Sequence, residues 1–272
     1  MTAPDYREYP PRPALRDYVR CVWTFVAPAD DAPQPIAPDG CCELIVHVRA
    51  PYLERGEGGD VVQPRVLFAG QITEPLNLVA QGETGVVGVR FQPWAARAFL
   101  GADASGATDK RVDLAALDGK AAAMLPRAQA SVESGSWVDA AQDYVATRVW
   151  NASIDPHVRA AVEALEAERE APAPSGLSER QWQRRFKAEV GISPRELQSV
   201  FRFRRVFDAI ERPGPPGWVE AALAAGYFDQ PQMARDFRRY LGLSSRQWAA
   251  QRVGLAKALM SETYKKDGAG PR

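Results

Sequence analysis

GYFDQPQMARDFRRYLG, residues 226–242, decides how this chain is read. The stretch has helical spacing yet carries two glutamines, a proline and three arginines. Asp229 is a helix-capping residue. Pro231 then falls in the first turn, where backbone N–H groups have no intrahelical acceptor and proline is tolerated. Met233 and Phe237, four apart, mark a buried face. Gly242 can take the left-handed conformation that ends a helix. Outward lie Gln230, Gln232 and Arg235, with Arg238 and Arg239 a turn later.

The same skeleton occurs earlier, in LSERQWQRRFKAEVGISPREL (177–197). Ser178 caps, Trp182 and Phe186 take the apolar positions, and Gly191 stops the helix. The two stop glycines are 51 residues apart. After each, a Gly-x-Ser pattern restarts a helix on a serine cap. The outward positions here are Arg180, Gln181, Gln183 and Arg184. Ahead of the second copy, WVEAALAAGYF (218–228) sets Ala222 and Gly226 at the small-x-x-x-Gly spacing of a helix-turn-helix, in which the second helix enters a DNA major groove. A solvated helix face explains either segment alone. Two copies with matched caps, core positions and stop glycines argue against that explanation.

Residues from about 155 to 250 therefore resemble the paired helix-turn-helix domain of AraC/XylS-type transcription regulators. The likeness rests on LSERQWQRRFKAEVGISP and, more specifically, on GYFDQPQMARDFRRYLGLS. It implies two recognition helices in successive major grooves, tied by a central helix over 193–211. Leu197, Val200, Phe201, Val206, Phe207 and Ile210 fall at buried spacing in that helix. It also implies base contacts from Arg180, Gln183 and Arg184, and from Gln230, Gln232 and Arg235. Glutamine pairs bidentately with adenine, arginine with guanine. Phosphate contacts fall to Arg185, Lys187, Arg202, Arg204, Arg238 and Arg239. One departure stands out. The family's first positioning helix is replaced by AEREAPAPSG (167–176), where Pro172 and Pro174 forbid regular helix. That leaves the first recognition helix loosely supported and shifts specific reading to the second, unless the central helix holds the first through Trp182 and Phe186.

The first half reads differently. Val19–Val26, Cys42–Val48, Val66–Ile72, Leu76–Ala80 and Val86–Phe91 are short Val-, Ile- and aromatic-rich runs bounded by Gly and Pro, which predicts strands. QGETG (81–85) has the composition of a hairpin turn. Residues 93–101, 114–128 and 136–150 turn alanine-rich, with helical spacing. The fold class expected is α+β: a β-rich domain with appended helices over 1–152, an all-α DNA-binding domain over 153–255, and a frayed tail over 256–272. YREYPPRPALRDYVRCVWTF (6–25), PDGCCELIVHV (38–48), VLFAGQ (66–71) and GVRFQPWAARAFLG (88–101) are similar to an uncharacterised sensor-like domain found ahead of AraC-type domains. That implies effector sensing or dimerisation.

Charge follows the same division. The chain of 272 residues is neutral overall, with 34 Lys+Arg and 34 Asp+Glu. Residues 1–152 hold 14 basic against 19 acidic side chains, and residues 153–257 hold 17 against 13. The basic half is the one suited to a polyanion. Three cysteines give no disulfide framework, and no apolar run reaches membrane-span length, so a cytoplasmic setting is expected.

No catalytic set emerges, so no enzyme, cofactor or metal is expected. Cys41 and Cys42, adjacent on a strand, point to opposite faces and cannot easily share an ion. His157 sits in a first turn at the surface. Trp23, Phe25 and Phe91 could line a ligand pocket or simply form core. The partners expected are double-stranded DNA, with a small-molecule effector, RNA polymerase and a second copy of the chain as further candidates. The alternative is a small-molecule-binding or protein-interaction module whose degenerate first unit reads no DNA.

Overall fold

The computed structural model describes residues 4–56, 58–130, 137–210 and 217–250. Its ten strands are β1 (Asp5–Tyr9), β2 (Val19–Ala27), β3 (Gln34–Ile36), β4 (Glu43–His47), β5 (Tyr52–Gly56), β6 (Gly59–Val62), β7 (Val66–Ala69), β8 (Leu76–Ala80), β9 (Thr84–Phe91) and β10 (Arg111–Asp113). They form two antiparallel sheets, ordered β1-β2-β9-β4-β7-β10 and β3-β8-β5-β6.

Alternation along the central strands builds two cores. In β2, Cys21, Trp23 and Phe25 point toward the smaller sheet, while Val22 points away. In β9, Val86 shares the inter-sheet side, and Val87, Val89 and Phe91 face the helices. All eight residues of β9 are buried, as befits a strand covered on both faces. Gly88 is required there, since a Cβ would lie 2.0 Å from the Trp23 ring.

The residues expected to turn a hairpin at 81–85 do something else. β8 pairs with β3 and β5 in the small sheet, whereas β9 pairs with β2 and β4 in the large one. The turn passes the chain between sheets. A hairpin does form at β5–β6, with Gly56 opposite Gly59. Phe91 lies on the helix side, tilted against Phe68 and Phe99, so it lines no inter-sheet pocket.

The helices are α1 (Ala96–Leu100), α2 (Leu114–Leu117), α3 (Gly119–Ala130), α4 (Trp137–Val149), α5 (Pro156–Glu166), α6 (Glu179–Val190), α7 (Pro194–Ile210), α8 (Trp218–Ala224), α9 (Gln230–Leu241) and α10 (Ser245–Ala250). The α+β reading holds. Asp155 caps α5, accepting bonds from the His157 and Val158 backbone N–H groups. The central helix runs from Pro194 to Ile210, and residue 211 lies outside the described residues, as do the 256–272 tail and the last residues of the expected 153–255 unit.

One apolar cluster runs through the whole molecule, from Leu15 and Phe91 through Val162 and Phe186 to Phe207 and Phe237. The acidic and basic halves of the chain thus share a core.

Candidate nucleic-acid interface

The α8–α9 unit is compact. At the end of α8 the Gly226 N–H donates to the Leu223 carbonyl and the Tyr227 N–H to that of Ala222, a Schellman closure. Gly226 has φ +84°, and a Cβ there would meet nothing nearer than 3.9 Å, so conformation and not space demands glycine. Asp229 caps α9 by accepting from the Gln232 N–H at 2.7 Å. Met233, Phe237, Tyr240 and Leu241 form its buried stripe. Phe237 meets Phe203, Phe207, Trp218 and Trp248 edge-on or tilted, with centroids 5.0 to 6.5 Å apart. Tyr227, in the turn, donates to Asp236 at 2.8 Å, and Arg202 of α7 reaches the same carboxylate at 3.3 Å while lying over the Tyr227 ring. Central helix, turn and α9 are therefore tied at one point.

The α6 unit repeats the local design. Both α6 and α9 span 12 residues between an N-terminal cap and a left-handed glycine, Gly191 at φ +98° and Gly242 at φ +68°. Ser178 and Gln181 form a reciprocal capping box. Trp182, Phe186 and Val190 are buried. What precedes α6 differs: residues 167–178, including Pro172 and Pro174, form no helix.

The loose support expected for α6 is nonetheless corrected. This helix packs on α1 and on the 3₁₀ turns Pro93–Ala95 and Ala104–Ala107, as well as on α7. Arg97 bonds Glu189 at 3.1 Å, and the Thr108 hydroxyl donates to the Gly191 carbonyl at 2.7 Å. The N-terminal half has taken the place of the missing helix.

Between these cores the outward side chains stand where the sequence put them. The side chains of Arg180, Arg184, Gln230, Arg235 and Arg238 are exposed and make no hydrogen bond or ion pair with another described residue. Gln183 is exposed and donates to Glu179 at 2.7 Å, and Arg239 lies over Tyr240 with Glu196 at 3.9 Å. Two glutamines are otherwise engaged. The Gln181 side-chain oxygen accepts from the Ser178 backbone N–H and hydroxyl, and that of Gln232 accepts from the Phe228 N–H at 3.0 Å. Bidentate adenine pairing needs that oxygen, so it is closed to both while the caps hold. Gln183 and Gln230 keep theirs.

Three expected phosphate contacts also change. Arg204 is 2% exposed and turns inward beside Asp39 and Arg90. It lies four residues beyond Val200 on the buried stripe, and that spacing outweighed its charge. Arg185 is paired with the Asp155 cap and Arg202 with Asp236. Lys187, Arg238 and Arg239 remain exposed.

Comparison with known proteins fits this geometry. Residues 173–251 match a family model described as a helix-turn-helix domain. They form an AraC-type helix-turn-helix domain. Residues 7–113 match a domain of unknown function. No curated protein matches the chain. Among solved structures, an apo point variant of ToxT from Vibrio cholerae is 9% identical, covering 84% of this chain and 96% of its own at a TM-score of 0.44. Wild-type ToxT bound to an unsaturated fatty acid is also 9% identical, covering 91% and 95% at a TM-score of 0.40. Scores this low carry no argument for this chain.

Next to the AraC-type domain, two small cavities adjoin between the sheets. One, of about 60 Å³, is lined by Trp23, Ile45, His47, Tyr52, Leu78 and Arg111 among others. His47 bonds Gln63 through Nε2 at 3.1 Å, leaving Nδ1 buried without a partner among the described residues, and burial lowers its pKa to about 4. The Tyr52 hydroxyl has no well-aligned partner, although Thr84 lies near it, and burial raises its pKa to about 12. The second cavity, of about 40 Å³, is walled by Asp39, Cys41, Glu43 and Arg90 and by Arg204 of α7. Burial lifts the Glu43 carboxyl above the usual range, while Arg90 at 2.9 Å and the Trp23 indole at 3.0 Å draw it back. Cys21, Cys41 and Cys42 are buried free thiols, each pushed above the usual range by burial. Neither Phe25 nor Phe91 lines these cavities.

Proposed function

We propose that this protein is a sequence-specific DNA-binding transcription regulator whose N-terminal half responds to a small-molecule effector. The observation that carries the DNA-binding part is the repeat: α6 and α9 share length, caps and stop glycines, bury equivalent apolar positions, and turn unpaired arginines outward. Helices of this kind read bases from their N-terminal halves. Arg180, Gln183 and Arg184 on α6 and Gln230 and Arg235 on α9 are the base readers in this proposal. Lys187, Arg238 and Arg239 supply the salt-dependent phosphate contacts. Helix α9 keeps a positioning helix of its own, α8, which α6 lacks, and that favours α9 as the more discriminating reader.

Effector control is supported by packing. Gly40, at φ +82°, brings its loop so close to α7 that a Cβ would lie 2.6 Å from Phe201 and 2.9 Å from Leu197. Gln71 holds the Gly40 carbonyl at 2.8 Å. A molecule parting the sheets near Asp39 and Arg90 would thus press on the helix that spaces the two readers. The cavities as they stand have room for a few water molecules, so occupancy by anything larger requires that movement. In this reading the division near residue 152 is functional, with the cytoplasm as the working compartment and RNA polymerase and a second copy as further partners.

Selection from a random duplex pool, followed by titration of the full chain at several salt concentrations, tests the proposal. The expected result is an enriched motif bound far more tightly than random duplex, with affinity falling steeply as salt rises. A steep salt dependence with no enriched motif would favour a module that does not read sequence.

A further inference from the structure

The two units differ in one side chain that the fold leaves idle. A hydrophobic residue just before a helix cap commonly packs on the fourth helical residue, forming a staple that fixes the entry of the chain. In the first unit those positions are Leu177 and Trp182, and both pack in the core. In the second they are Phe228 and Met233. Met233 is fully buried, but Phe228 is 90% exposed, so the staple is not made. The position of Phe228 is still fixed, because its N–H is held by Gln232, whose own N–H is held by the cap Asp229. A whole aromatic ring is therefore presented to solvent at the N-terminal edge of α9.

We propose that Phe228 is a specificity residue that contacts the C5-methyl group of a thymine in the major groove. The proposal rests on the reading of α9 as a helix that enters that groove. At its N-terminal edge, a side chain two residues ahead of Gln230 meets base edges or the backbone. A phenyl ring neither donates nor accepts a conventional hydrogen bond and carries no charge, so it gains little from phosphates. The one apolar group that a base pair displays in the major groove is the thymine methyl. The contact would also cover a ring that the free protein leaves in water, which gives the energetic reason for placing it there.

Deoxyuridine in place of thymidine removes that methyl and keeps the pairing. The test binds the full chain and its Phe228→Ala variant to the duplex enriched by selection, with each thymine replaced in turn. Wild type should lose about fourfold in affinity at one thymine near the α9 contact, the worth of a methyl-sized group. The variant should bind the thymine duplex about fourfold more weakly and show no further loss with deoxyuridine. Its thermal midpoint should match wild type, because the ring is not part of the core. A variant that weakens equally on all duplexes would place Phe228 against sugar or backbone and overturn the assignment. Unchanged DNA affinity would overturn it too and point to a protein contact instead. Selection that enriches no motif overturns the parent reading, and this assignment with it; enrichment without a methyl effect overturns this assignment alone.

Discussion

The helices α6 and α9 have nearly the same local design and very different surroundings. Helix α9 packs its buried face on aromatic rings from α7, α8 and α10. Helix α6 has no helix-turn partner of its own and leans on α1 and the turns at Pro93–Ala95 and Ala104–Ala107. Local sequence therefore sets what a recognition helix is, while distant sequence sets how firmly it is held. Helix α6 is mechanically part of the N-terminal half and α9 is much less so.

The contrast can be broken most forcefully in the cores. Phe186→Ala and Phe237→Ala each remove a fully buried ring, with an expected loss of about 3–5 kcal/mol. The sharper expectation is where the damage spreads. Amide exchange should quicken in α1 and the 93–107 region for Phe186→Ala, and in α8 and α10 for Phe237→Ala. Equal spread from both would erase the distinction.

Acid offers the next lever. His47 is held neutral in the fold, with its pKa lowered by burial to about 4, against about 6.5 when unfolded. The unfolded chain therefore takes up the proton first as pH falls, so stability drops between about pH 6.5 and 4 and levels off below. The full span amounts to roughly 3 kcal/mol. His47→Gln should flatten that limb in thermal midpoints measured against pH. In wild type, exchange over this window should rise in α6 more than in α9.

Arginine truncation sharpens the comparison at the DNA. Arg235→Ala should cost about 1–3 kcal/mol on the preferred site and relax preference at one base pair. Arg184→Ala should cost less if α9 is the more discriminating reader, as competition binding with single-base variants of the site will show. Uniform weakening on every duplex by Arg235→Ala would remove its base-reading role.

The smallest effects concern the stop glycines. Both have positive φ, where a Cβ costs about 1–2 kcal/mol. At Gly191 the Cβ would also come within 3.1 Å of Gln71 and 3.3 Å of Thr108, whereas at Gly242 the nearest atoms are 3.7 Å away. Gly191→Ala should therefore lower the thermal midpoint more than Gly242→Ala.

Much of this was legible in the chain. Caps, stop glycines and apolar spacing act within a few residues, so α6 through α10 lie where the sequence placed them, as do the cores of β2, β4, β7, β8 and β9. The capping role of Gln181 and Gln232 was legible as well, since each stands three residues after its cap; counting Gln181 among the outward positions and Gln232 among the base contacts overlooked that signal. The same spacing recurs at Ser193–Glu196 and Ser244–Gln247, and there too the side chain returns to the cap. Arg204 stood on the buried stripe of α7, masked only by its charge. The support of α6 was not legible, because it depends on contacts to Arg97 and Thr108, more than eighty residues away. Nor was the sheet assignment of β8 and β9, because turn composition at 81–85 says nothing about which strand each neighbour will pair with.

The central claim is that α6 and α9 grip one duplex together. Hydroxyl-radical footprinting of the full chain on its selected site tests it most directly. Two protected segments about one helical turn apart on the same face of the DNA are predicted. Arg184→Ala should weaken protection over one segment and Arg235→Ala over the other. A single protected segment, or two on opposite faces, would contradict the account.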